Sequence, residues 1–168
     1  MSGMGPTTEL RRALKDRFFT YAETRGFTID KRHQPVSTVF RRRMGPSVHI
    51  LELQWDKYGR RRFRLHFGAC PATGLEVDGK AIPPDEVLPA WCAVNGTLRP
   101  RAGMAGGTFF RQDSSWLERL RGHPPLREPD VIVDKLLAHF SEIERFFENG
   151  VVGPHLKMWP SRTGSKRA

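Results

Sequence analysis

The sequence predicts an α+β fold, an antiparallel β-meander sheet with an N-terminal and a C-terminal helix packed on one face as a two-layer sandwich. Three observations carry that expectation: apolar residues recur at helical spacing near both ends, alternation of period two fills the stretch from Phe27 to Gly68, and turn signals divide that stretch into strands. With 168 residues, 38% hydrophobic and 27% charged, the chain is sized for one domain with a buried core. Residues 1–6 read as a disordered start, 7–159 as the single domain and 160–168 as a basic flexible tail.

The first element is TTELRRALKDRFFTYAETRG, with Thr7 or Thr8 as N-cap, Glu9 in the first turn and Gly26 as the stop. Leu10, Leu14, Phe18 and Tyr21 share one face of this helix and would seat it on a sheet, while Arg12, Lys15, Asp16 and Glu23 lie opposite. Turn signals at Met44–Ser47 and Asp56–Gly59 then cut the following region into three strands. A weaker strand is expected over Trp91–Leu98, a loop at Gly103–Gly107, and a short helix from Asp113 to Gly122 with Ser114 and Ser115 as capping residues. The closing helix begins at Pro129 and Asp130 and ends at Asn149-Gly150, with Ile132, Val133, Leu136, Phe140, Ile143 and Phe147 on its apolar stripe. Burying such side chains is worth ~1.5–3 kcal/mol each, so the stripe sets the docking.

The formal net charge of +10 is unevenly spread. Residues 1–70 hold 15 Lys/Arg against 6 Asp/Glu, whereas residues 71–160 hold 10 against 12. The excess lies in the first seventy residues, which hold two arginine triplets, Arg41–Arg43 and Arg60–Arg62, and in the tail. Pairing Phe40 with Leu51 sends Arg41 and Arg43 to the outer sheet face and leaves Arg42 at the core edge near His49. Pairing Leu53 with Phe63 places Glu52 opposite Arg64. Strand polarity separates the triplets by roughly 20–25 Å, so they are not one patch. Arg41, Arg43, Arg62, Arg64 and His66 are the candidate contacts for a partner or for phosphates. Phe40, Trp55, Phe63 and Phe67 point to the core, which removes the stacking platform of a sheet that reads single-stranded RNA.

No catalytic, cofactor-binding or metal-ligating set is legible, and no cofactor is expected. Neither GMAGG nor TGSK fits the phosphate-loop pattern GxxxxGK[ST], and the six histidines are scattered without an HExxH arrangement. His66 and His139 are expected at element edges. Cys70 and Cys92 read as ordinary small buried residues, with no disulfide or zinc spacing. Trp116 and Trp159 read as core or docking anchors, and an exposed Trp159 would suit a partner surface. No apolar run approaches a membrane span and no secretion signal precedes the domain, so the expected setting is cytoplasmic, with no membrane partner.

VFRRR, ILELQ, the Tyr58-Gly59 turn, FRLHFG, SSWLERL and the closing helix, in that order, resemble the bacterial family called domain of unknown function 4304 over about Arg25 to Trp159. The resemblance implies a small cytosolic bacterial α+β protein and no catalytic residues to carry over. Such families sometimes occur near toxin and immunity genes, which points by association to protein binding. The expected function is therefore a non-enzymatic protein-interaction module, immunity-like, acting through the outer sheet face or the groove beside Gly103–Gly107. The alternative is electrostatic nucleic-acid binding through the arginine-rich face, and an enzyme with an unrecognised pocket stands third.

Overall fold

The computed structural model of the protein describes residues 7–33, 36–103 and 107–160. The expected disordered start, most of the expected tail and the centre of the glycine-rich loop lie outside the described residues.

Helix α1 (Thr8–Ala13) has Thr7 at its N-cap and runs through a π-helical stretch (Leu14–Phe19) into α2 (Thr20–Thr24). Leu10, Leu14, Phe18 and Ala22 are fully buried. A spacing of four drifts around a helix of 3.6 residues per turn, and the wider π winding in the middle holds the four in line. Ala22 takes the place expected of Tyr21, which is only partly buried, and Gly26 stops the run in the left-handed region at φ 84°.

The chain then forms β1 (Thr28–Asp30), β2 (Ser37–Met44), β3 (Ser47–Trp55) and β4 (Arg62–Pro71). After a small hairpin of β5 (Leu75–Val77) and β6 (Lys80–Ile82) come β7 (Val94–Leu98), β8 (Phe110–Arg111), α3 (Trp116–Leu120), α4 (Pro129–Asn149) and β9 (Leu156–Trp159). The main sheet runs β1-β2-β3-β4-β7-β9, with β8 also paired to β4 and every pairing antiparallel. The fold is α+β with helices from both ends of the chain, as the alternation and the two stripes predict. Among the described residues no helix is long and apolar enough to cross a membrane.

The first hairpin has the expected register, with Phe40 opposite Leu51 and Arg42 opposite His49. The second departs from it by two residues, because Leu53 faces Leu65 and Trp55 faces Phe63. Its turn is longer than DKYG alone: Asp56 accepts from the Tyr58 N–H and from Arg62 Nε–H, and β4 begins only at Arg62. An even slip leaves every side chain on its own face and changes only its partner. Glu52 therefore lies opposite His66, and Gln54 opposite Arg64.

Phe40, Leu51, Leu53, Phe63, Leu65 and Phe67 form one core with the α1–α2 stripe and with Ile132, Val133, Leu136, Phe140 and Ile143 of α4. Phe146 completes the α4 stripe, while Phe147 is partly buried and stacks on His49 at 4.1 Å between ring centres. The other sheet face is not simply wet. Val39, Val48, Ile50 and Cys70 pack with Val87 and Cys92, so the proline-rich connection after β6 covers part of it. Both cysteines are free and buried.

Candidate functional site: a basic pocket organised by Glu118

On the outer edge of β4, β7 pairs with Leu65–Ala69 and β8 with Arg62–Phe63. Pro100, Arg101, Gly107 and Phe109, which lie outside the sheet, border a cavity of about 390 Å³ against α3 and α4. Arg62, Arg101, Arg111, Arg127 and Lys135 line it together with Phe109, Gly107 and, among the described residues, a single carboxylate, Glu118. A cavity of that size accepts a small ligand.

Glu118 is held by the start of its own helix. Ser115 is the N-cap, its hydroxyl accepts from the Glu118 N–H at 3.3 Å, and Glu118 reaches back to accept from the Ser115 N–H at 2.7 Å. This is a capping box. The same carboxylate accepts from Arg127 at 2.6 Å, Arg101 at 3.0 Å and Arg111 at 3.3 Å. The Ser115 N–H holds its pKa down at about 2, against the effect of burial and with help from Arg127, so it is ionised at neutral pH.

Three guanidiniums on one carboxylate leave excess positive charge. Lys135 registers it: burial lowers its pKa, and Arg127 and Arg101 lower it further. Arg62 adds a guanidinium at the rim whose charge is answered by Asp56 at 2.7 Å. Backbone bonds fix the donors' positions, since the Arg127 N–H donates to the Gln112 carbonyl at 2.9 Å and a bridge joins Asp113 to Leu126.

The structure distributes the five predicted contact residues over several places. Arg41 turns inward, 11% exposed, to Asp30 at 3.5 Å and to the Pro84 and Val87 carbonyls, and burial lowers its pKa. Arg43 is exposed at the far end of β2. Arg62 and Arg64 stand over the Phe109 ring at 4.1 and 3.9 Å, and Arg62 alone of the five reaches the pocket.

His66 sits mid-strand and not at an element edge. It donates from Nε2 to Gln54 Oε1 at 3.4 Å and accepts at Nδ1 from the Thr97 hydroxyl at 2.7 Å. Burial first, and Arg64 second, push its pKa down to about 4. Thr97 also accepts from Trp159 Nε1–H at 2.7 Å. His66, Gln54 and Trp159 border a second cavity of about 430 Å³ with Glu52 and Asn95. Trp159 is 38% exposed and Trp116 69%, so neither is a core residue.

Sequence reasoning passed over Arg101, Arg111, Glu118, Arg127 and Lys135. The SxxE spacing of Ser115 and Glu118 was the available signal, but such a box ordinarily faces solvent and says nothing of distant arginines. Comparison of the chain with models of known families, with curated proteins and with solved structures gives no match. The resemblance to the domain of unknown function 4304 family thus rests on the quoted motifs alone.

Proposed function

We propose that the protein is a ligand-binding module whose Glu118 pocket takes a small phosphate-bearing molecule. One observation carries the reading: Arg101, Arg111 and Arg127 converge on a single carboxylate in a concave cavity that Lys135 also lines. Each guanidinium has five N–H donors. Glu118 occupies only some of them and fixes the directions of the rest, so the cost of ordering long side chains falls before any ligand arrives. Phosphate oxygens are the acceptors that match such an array.

This reading favours the pocket over the outer sheet face for either a partner protein or a nucleic acid. Arg41 is directed into the protein, and the connection after β6 covers part of the face on which its neighbours lie. The groove beside the glycine-rich loop, named from sequence as an alternative interaction site, coincides with the pocket's rim at Arg101 and Gly107. With two free, buried cysteines the proposed setting is the cytoplasm.

Thermal denaturation with inorganic pyrophosphate tests the proposal. Pyrophosphate is expected to raise the midpoint in wild type, less so as salt increases, and to lose most of that effect in Lys135→Met and Arg127→Ala. No shift in wild type, or the same shift in both variants, would overturn it.

A further inference from the structure

We propose that His139, Glu142 and His155 form a binding site for a divalent transition metal of the zinc type. His139 and Glu142 are three apart on α4 and so share one face, and His155 returns to that face after the Gly150 stop. One potential ligand atom from each residue lies within 4.8 Å of the other two, and all three residues are partly buried. Two imidazoles and a carboxylate are the donors that zinc takes at sites with an open fourth position.

The carboxylate is already positioned. Glu142 accepts from His155 Nδ1–H at 2.6 Å and from the His155 backbone N–H at 2.8 Å. It also lies in a space that only glycine leaves open, because a Cβ at Gly153 would meet its Oε2 at 2.2 Å. The two rings now stack at 3.6 Å with 13° between their planes. The ion enters by turning His139 about its side-chain torsions and by taking the place of the proton between His155 Nδ1 and Glu142; that proton goes to solvent.

Titration of the full chain with zinc by calorimetry, and with cobalt followed by its visible absorption, tests the site. The expected result is one ion per chain, a cobalt spectrum of tetrahedral type, and affinity weakened by about a hundredfold or more in His139→Ala and in His155→Ala. Circular dichroism establishes whether each variant is folded, and Glu142→Gln, which keeps shape and removes the anionic donor, is expected to weaken binding without unfolding the chain. Absence of binding at micromolar zinc, or wild-type affinity in folded His139→Ala or Glu142→Gln, would overturn the proposal.

Discussion

Glu144 and Glu118 are both largely buried, and they meet arginine in opposite ways. Among the described residues Glu144 has one hydrogen-bonded arginine: Arg42 grips it with two hydrogen bonds of 3.1 and 2.8 Å and also donates to the Arg25 carbonyl at 2.9 Å and to His49 Nδ1 at 3.0 Å. That guanidinium also lies over the Phe27 ring at 4.4 Å. The pair closes the seam between β2 and α4, its charges answered one for one. Glu118 has three arginines and a cavity in front of them. Stoichiometry separates a structural ion pair from the proposed anion receptor built with the same residue types.

Arg42→Ala is the largest perturbation expected. It leaves Glu144 without its counter-ion inside the seam, which should cost about 3–4 kcal/mol in urea denaturation, while pyrophosphate binding by the folded fraction stays as in wild type. Glu118→Gln comes next, at about 2–3 kcal/mol, since it weakens charge-assisted bonds. Its effect on binding separates two roles for the carboxylate. If Glu118 were only a competing charge, the variant would bind pyrophosphate more tightly; if it aims the guanidiniums, as we infer, the variant binds more weakly in calorimetry.

The two carboxylate regions also differ in their response to acid. His49, beside the Arg42 pair, is held to about 4 by burial and then by Arg42, and His66 is likewise near 4. In the unfolded chain both take up protons near pH 6.5. Because the folded values are depressed, the unfolded state binds protons first, so stability falls as pH drops from about 6.5 towards 4. Glu118 acts lower: its stabilisation is present above about 4.5 and is lost as pH falls towards 2. Melting temperatures across these windows check both slopes, and His49→Gln together with His66→Gln should flatten the upper one. The smallest effect is expected at exposed Arg43, where alanine should change stability by less than about 0.5 kcal/mol.

The sequence shows the scaffold well where the signal is local. Pro129, Asp130 and Gly150 bound α4 as expected because caps act within a turn, and period-two alternation sorts the β2, β3 and β4 side chains correctly between faces. It shows less where partners are distant. β9 pairs with β7 across about sixty residues, with Leu98 opposite Leu156, and LKMW is too short to announce a strand. The register of the second hairpin escaped because Asp56 extends its turn.

The pocket was hidden by a related cause. Residues 71–160 carry slightly more acidic than basic residues, yet four of the five pocket cations come from them, brought together by β8, α3 and the start of α4. Net charge by segment points to Arg41, Arg43, Arg62, Arg64 and His66, of which Arg41 turns inward, Arg43 is remote and Arg62 alone lines the pocket. His139 and His155 likewise look scattered in sequence and stack in the fold.

The direct test of the pocket is calorimetric titration of pyrophosphate into wild type, Arg127→Ala and Arg43→Ala at one salt concentration. Each variant removes one positive charge. Arg43 pairs across the sheet with Val48 and through it with Cys70, eight residues along β4 from Arg62, or roughly 25 Å from the pocket at strand spacing. Expected are one site per chain in wild type, unchanged affinity in Arg43→Ala, and at least about a tenfold loss in Arg127→Ala, the worth of one charge-assisted contact. Equal affinity in all three proteins, or equal loss in both variants, would contradict the proposal.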